Sequence, residues 1–175
     1  NVAVTKMRNC RFLANSALED GGAVLIKIFI HFSVHNCIFV KNKALHHSGA
    51  LGCENGLHDI KIQYSTFFKN KADFAGGVEM WKVKLGEIKS SKFVSNIATA
   101  AGGGAFIFTA MSLRCSKTQF LNNYSKGVGG AVSIEAGQKK SIIIFMQSTF
   151  HKNTANLEGT AISVISSPLK EINLY

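Results

Sequence analysis

Several features are scarce in this 175-residue sequence. It contains one proline, at position 168, and only ten acidic residues against twenty lysines and arginines. No apolar run is long enough to cross a membrane, and no stretch shows the 3.6-residue apolar period of an amphipathic helix. The four cysteines form no Cys-x-x-Cys pair and no Cys/His spacing typical of a zinc site. These absences argue against a membrane span, a helical fold and a structural zinc centre.

A short motif recurs six times along the chain. Each copy reads Phe-x-x-Asn and is followed, after a gap, by glycines and an apolar run. The phenylalanines are Phe12, Phe39, Phe67, Phe93, Phe120 and Phe150, and the asparagines are Asn15, Asn42, Asn70, Asn96, Asn123 and Asn153. Successive asparagines are 27, 28, 26, 27 and 30 residues apart. A period of this size is typical of a solenoid, in which one supersecondary unit stacks on its copies.

Alternation of apolar residues identifies the unit as β. Residues 22–28, 104–109 and 130–135 place an apolar side chain at every second position, and the segments before each Phe are rich in β-branched and aromatic residues. About 27 residues accommodate three short strands and three turns. The sequence therefore predicts an all-β fold, a right-handed parallel β-helix (solenoid) of about six coils with roughly 27 residues per coil. We expect a single domain over residues 1–175.

Alignment of the coils assigns roles to whole columns of residues. The Phe column should point into the core, and the Asn column should take a left-handed backbone and join amides from coil to coil as a structural ladder. Two places after the glycine pairs lie Val24, Leu51, Glu79, Phe106, Val132 and Ile162. Glu79 is the misfit among them. We favour a local register shift in the third coil over a carboxylate near the core, because a lone buried charge is costly.

The cysteines and histidines give weaker signals. Cys10 and Cys37 hold equivalent places in adjacent coils, but serine and threonine fill this column elsewhere, which favours free thiols over a disulfide. The neighbouring pair His46 and His47 could bind a metal, yet a solvated turn is the simpler interpretation. We expect no cofactor and no metal site.

Catalysis on carbohydrates is an alternative function, because many polysaccharide lyases and hydrolases are parallel β-helices. Such catalysis needs carboxylates gathered on one face of neighbouring coils. By coil position the acidic residues do not gather: Asp20 and Glu158 share a column but lie five coils apart. The sequence therefore predicts a non-enzymatic protein. Carboxylates within about 10 Å of one another on one face would restore the alternative.

The net charge of +10 must lie on the outer faces of such a solenoid. Lys41 and Lys69 precede equivalent asparagines, and Lys43 and Lys71 follow them. Adjacent coils should thus carry a patch of four ammonium groups, a candidate site for a polyanion such as an anionic glycan or for an acidic protein, against the alternative of a solvated face. No aromatic residues interleave with these lysines, so we expect no nucleic-acid binding.

Both ends of the sequence fall inside the repeat without a recognisable cap. We expect a fragment of a longer repeat protein. Open strand edges at the ends would also allow other chains to continue the stack, which makes a subunit of an extracellular filament or complex a further alternative.

The combination of Phe-x-x-Asn with Gly-Gly-Ala and Ile, Val or Leu resembles the repeat of the chlamydial polymorphic outer membrane proteins. It is seen at residues 12–24, 39–51, 93–106 and 120–132, and in weaker form at Phe67 and Phe150. The resemblance covers nearly the whole chain. It implies a secreted, surface-exposed β-helical passenger that works in adhesion. We therefore expect an extracellular or cell-surface module that acts as an adhesin or structural spacer.

Overall fold

The computed structural model describes residues 4–108, 112–136, 141–166 and 171–175. The described residues form β-strands, turns and bends, and no helix. The strands assemble into parallel sheets that wind as a β-solenoid of about six turns, with equivalent residues about 27 positions apart. The predicted fold class is confirmed. None of the described residues belongs to a helix that is long and apolar enough to span a bilayer.

The largest sheet follows two faces of each coil. In the first coils, the two long strands β3 and β5 run along both faces, and from the third coil onward two shorter strands replace each long one. Its strands are β1 Val4–Arg8, β3 Val24–His35, β5 Leu51–Gln63, β8 Val78–Trp81, β9 Leu85–Lys89, β12 Ala105–Phe108, β13 Ser112–Ser116, β16 Val132–Ala136, β17 Ile142–Met146, β20 Ile162–Ser166 and β21 Glu171–Leu174.

Two smaller sheets complete the coil. The second sheet carries the Phe column, in strands β2 Arg11–Leu13, β4 Ile38–Val40, β6 Thr66–Phe68, β10 Lys92–Val94, β14 Gln119–Leu121 and β18 Thr149–His151. The third sheet follows the Asn column, in strands β7 Lys71–Phe74, β11 Ile97–Ala101, β15 Tyr124–Ser125 and β19 Thr154–Ala155.

The six phenylalanines stack on one another inside the solenoid. Ring centroids of successive members lie 4.7–5.0 Å apart, with interplanar angles of 4–14°. Phe39, Phe67, Phe93 and Phe120 are fully buried. Burial of such a side chain is worth about 1.5–3 kcal/mol, so the stack contributes strongly to cohesion between coils.

Residues with a left-handed backbone, with φ between 48° and 69°, mark the turns of the described coils. In the first three coils a further such residue, Ile28, Asn55 or Lys82, separates the two stretches of the first sheet. The residues in the turn after the second sheet are Ala14, Lys41, Lys69, Ser95, Asn122 and Lys152. The expectation that the ladder asparagines take this conformation is wrong: the residue directly before each of them does. In the turn before the first sheet the column reads Gly21, Ser48, Ala75, Gly102, Gly129 and Gly159.

The third and fourth coils are shifted by one residue relative to the count from the glycine pair. Val78, not Glu79, pairs with Leu51, and Ala105, not Phe106, pairs with Val132. In both coils the glycine pair begins one place later than in the first coil, because Ala75 and Gly102 align with Gly21 and the pair follows them. The third coil is in addition one residue shorter between Asn70 and Ala75, where the register between β7 and β11 is irregular. Glu79 consequently points away from the core. It is nevertheless only 2% exposed, so the shift and the burial of the carboxylate occur together.

Apart from the residue missing between Asn70 and Ala75, differences in coil length are absorbed at one place. Every Phe precedes its Asn by three residues, whereas the two stretches of the first sheet are separated by a variable number of residues. Val24 and Phe32 are eight positions apart, but the equivalent residues Val132 and Ile143 are eleven apart. The Phe and Asn columns therefore keep their register while the coils vary in length.

All four cysteines are free thiols. Cys10 and Cys37 do lie in one column, and each thiol donates to the backbone carbonyl two residues earlier. Burial raises the pKa of the Cys37 thiol, raises that of Cys53 well above its usual range, and raises that of Cys115 to about 11. These buried thiols are therefore poor nucleophiles.

Candidate functional site

The four predicted lysines lie together on the outer surface of the second and third coils. Lys43 and Lys71 are paired partners in adjacent coils, about 4.8 Å apart along the stack. Lys41 and Lys69 hold equivalent left-handed positions in the turn directly before the Asn column. All four side chains are exposed. We call these residues the lysine patch.

The positive charges of the lysine patch are not paired with acidic side chains among the described residues. None of its four ammonium groups takes part in an ion pair among the described residues, whereas Lys27 and Lys61 elsewhere do. Lys69 places its ammonium group 5.1 Å from the centroid of the Phe68 ring. Four like charges held close together by backbone pairing repel one another, and an external anion would relieve this repulsion.

The Asn column forms a continuous amide ladder. In each step an amide Nδ2 donates to the Oδ1 of the next coil, at 2.9–3.0 Å. The same Oδ1 also accepts from the backbone N–H of the preceding asparagine, at 2.9–3.0 Å. A second Nδ2 hydrogen bond runs back to a phenylalanine carbonyl, at 2.8–3.1 Å.

These hydrogen bonds leave the inner asparagines nothing to offer a ligand. Asn42, Asn70, Asn96 and Asn123 are at most 1% exposed, and the amide hydrogens and oxygen of each make hydrogen bonds within the ladder. Buried amides of this kind stabilise the stack, because loss of one leaves several partners unsatisfied.

A small cavity lies on the outer face of the first sheet, where the sequence pattern predicts no site. It has a volume of about 150 Å³ and crosses the first three coils. Its lining residues are Asp20, Lys27, His47, Glu54, Glu79 and Trp81. Lys27, Glu54 and Trp81 are register partners in successive coils and form one wall. We call this the His47 cavity.

Glu79 and His47 are joined by a hydrogen bond in the His47 cavity. His47 Nδ1 lies 2.9 Å from Glu79 Oε1, and Ser48 Oγ donates to Glu79 Oε2 at 2.7 Å. The backbone N–H of His47 donates to Asp20 Oδ1 at 3.2 Å. The hydrogen bond with Glu79 raises the pKa of His47, against the opposing effect of partial burial. The His47 ring stacks on Phe74, with centroids 5.1 Å apart.

The opposite wall of the cavity carries an ion pair. Lys27 Nζ lies 3.1 Å from Glu54 Oε2, and this hydrogen bond raises the pKa of Lys27. Beside it, Trp81 stacks on Phe108 with ring centroids only 4.0 Å apart. The site therefore combines donors, acceptors and an aromatic side chain.

The expectation that the acidic residues stay apart is wrong for three of them. Asp20, Glu54 and Glu79 line the same cavity although they come from three coils. Counting from the glycine pair fails here because it places Glu79 in the column of Leu51, whereas the structure aligns Val78 with Leu51. With Val78 aligned to Leu51, Glu54 and Trp81 become register partners, and this alignment is the signal that could have revealed the site. His47, expected in a solvated turn, is half-buried.

A second group of polar side chains lies on the second stretch of the first sheet, in the latter halves of β3 and β5. Asp59 contacts His31 and, at 3.2 Å, Lys61. Burial alone would raise the pKa of Asp59, but the hydrogen bonds from His31 and Lys61 lower it overall. These groups satisfy one another, so we assign them a structural role.

No group of three or more His, Cys, Asp or Glu side chains suited to a metal ion occurs in the part of the chain that the structure describes. In comparisons with known proteins, no family model, no curated protein and no solved structure matches the chain.

Proposed function

We propose that the chain is a non-enzymatic β-helical module of a larger secreted or cell-surface protein, and that it acts in adhesion or as a structural spacer. The lysine patch is the observation that carries this proposal. It is a compact, exposed cluster of cationic groups without acidic partners among the described residues, on a scaffold that holds their spacing. Such a surface suits an anionic glycan or an acidic protein.

The scaffold supports a mechanical role as well. Its buried residues form a continuous core from coil to coil, and the amide ladder joins the coils along the same direction. The resemblance of the repeat to the chlamydial polymorphic outer membrane proteins supports exposure at a cell surface. Stacking of further chains on the first and last coils stays a prediction.

Binding to immobilised heparin tests the adhesive role. Replacing Lys41, Lys43, Lys69 and Lys71 by glutamate should abolish retention at about 0.15 M salt, because each substitution turns an attraction into a repulsion. The matched control replaces Lys82, Lys84, Lys92 and Lys117, which are also exposed and include two left-handed positions.

The control variant carries the same net charge as the patch variant. If binding depends on where the positive charges lie and not only on the net charge, the control variant should bind heparin more strongly than the patch variant. Equal loss in both variants would show a non-specific effect of net charge, and unchanged binding in the patch variant would refute the proposed site.

A carbohydrate-active enzyme is the second candidate, favoured by the three carboxylates that line the His47 cavity. Release of reducing ends from a panel of polysaccharides tests it. Activity that disappears in the Glu79→Gln variant would replace the non-enzymatic proposal, whereas an absence of product with the unmodified protein would remove this candidate.

A further inference from the structure

The His47 cavity lies beside an outward-facing column that reads Leu25, Gly52 and Glu79 in successive coils. A Cβ atom at Gly52 would lie 2.8 Å from Leu25 Cδ1 and 2.9 Å from Ser48 Oγ, so these two side chains already fill the space above Gly52. Of this column only Glu79 lines the cavity. The volume of about 150 Å³ suits a single ring-sized polar group.

The walls of the His47 cavity offer hydrogen-bonding groups of both kinds. Lys27 is a donor, and the Nε2 atom of His47 remains for a ligand because Nδ1 is engaged with Glu79. Asp20 and Glu54 are acceptors. A ligand rich in hydroxyl groups matches this mixture, since each hydroxyl donates one hydrogen bond and accepts others.

Trp81 adds an apolar surface to the same cavity. Phe108, its register partner in the next coil, covers one side of the indole at a centroid distance of 4.0 Å. The neighbour of Trp81 in the preceding coil is Glu54, and Trp81 lines the cavity on that side. The His47 ring also contacts the indole, with centroids 6.0 Å apart and nearly perpendicular planes. The part of the indole that Phe108 and His47 leave uncovered can contact the C–H groups of a sugar ring while the polar groups around it bind the hydroxyls.

The charges of the cavity select against other ligands. Three carboxylates oppose Lys27 and His47, which disfavours an anion. Glu54 is already paired with Lys27, and Glu79 already accepts hydrogen bonds from His47 and Ser48, which leaves little unbalanced negative charge for a cation. Glu79 is held by two partners and needs no reorganisation when a ligand enters.

We propose that the His47 cavity binds one uncharged sugar residue of a glycan. This site uses residues different from the lysine patch and requires no cleavage of the sugar. Its test is therefore independent of polyanion binding by the patch. The enzymatic candidate uses the same cavity but requires cleavage of the sugar as well as binding.

The chain has a single tryptophan, so its fluorescence reports on this cavity alone. We would titrate the protein with cellobiose, N,N′-diacetylchitobiose and mannobiose as uncharged probes and with digalacturonate as an anionic one. At least one uncharged disaccharide should produce a saturable change, and digalacturonate should produce none. No change with all three uncharged probes, or a stronger response to digalacturonate, would overturn the proposal.

Variants locate the binding. The double substitution Asp20→Asn with Glu54→Gln should weaken the response about tenfold or more, since it removes charged acceptors. Glu158→Gln is the matched control, because Glu158 shares the turn column of Asp20 but lies outside the cavity. Should the double variant not fold, Lys27→Met at a half-exposed side chain provides the same test. Equal affinity in the cavity variants and the control would refute the site.

Discussion

His47 illustrates how a single residue can link a turn to a sheet. It lies in the turn before β5, yet its ring contacts Glu79 of β8 and stacks on Phe74 of β7. The imidazole is about one third exposed, so the interaction with Glu79 is partly shielded from solvent. Protonation of this ring should therefore influence the stability of the whole turn.

We predict that the protein loses stability as the pH rises above neutrality. The hydrogen bond with Glu79 raises the folded-state pKa of His47 above the unfolded value of about 6.5. The stabilising contribution is complete below about pH 6.5 and is lost as the pH rises through the raised pKa. Urea-unfolding midpoints measured from about pH 5.5 to about pH 8.5 should fall over this window.

Two histidine variants separate this effect from other ionisations. His47→Asn should remove most of the slope in this window. His46→Asn should leave it intact, because His46 is largely exposed and its ring nitrogen lies 3.8 Å from Asp73. The explanation fails if the His47 variant keeps the slope of the unmodified protein.

At the scale of the element, the amide ladder should act as a chain of dependent hydrogen bonds. Asn96→Ala removes the acceptor of the Asn70 amide and the donor to the Phe67 carbonyl, all within a fully buried column. We expect a loss of about 2–5 kcal/mol in the free energy of unfolding, because buried partners remain unsatisfied. Chemical denaturation measures it.

The control for the ladder is its first member. Asn15 is exposed, and its hydrogen bonds in the ladder go only to Asn42. Asn15→Ala should therefore lower the free energy of unfolding by less than about 1 kcal/mol, since water can replace the lost amide as a hydrogen-bond donor to Asn42. Similar losses in the free energy of unfolding for Asn15→Ala and Asn96→Ala would mean that burial does not determine how much a ladder asparagine contributes to stability.

The sequence predicts the elements better than it predicts the cavity. The Phe and Asn columns follow from a motif with constant internal spacing, which fixes register without knowledge of the turns. The alignment of the strand that carries Glu79 depends on counting from a glycine pair. Such a pair is an ambiguous reference point, because the run Gly102-Gly103-Gly104 contains two possible pairs. A one-residue error in the count moves a side chain to the other face of a strand, which is why the cavity was missed.

At the scale of the whole molecule, the solenoid should respond locally to damage. Each coil contacts only its neighbours, so the stability of such a stack is a sum of terms between adjacent units. Phe93→Ala, in the middle of the stack, should cost about 3–5 kcal/mol and lower amide protection in the coils on both sides. Hydrogen–deuterium exchange followed by mass spectrometry resolves this pattern.

Phe12 provides the comparison at one end of the described stack. Its ring stacks on Phe39 at 4.8 Å. Phe12→Ala should lower amide protection in β1 to β4 and leave β14 to β18 unchanged. A uniform loss along the chain would instead indicate that the solenoid unfolds as one cooperative unit.

The uneven coil length has a consequence for the recognition of related repeats. Because the variable residues fall mostly between the two stretches of the first sheet, with one deletion between Asn70 and Ala75, the distance from one asparagine to the next ranges from 26 to 30 positions. Seven positions separate Phe32 from Phe39 and likewise Ile143 from Phe150. A search profile for further coils should therefore keep these seven positions and Phe-x-x-Asn rigid, and allow gaps without penalty upstream of them.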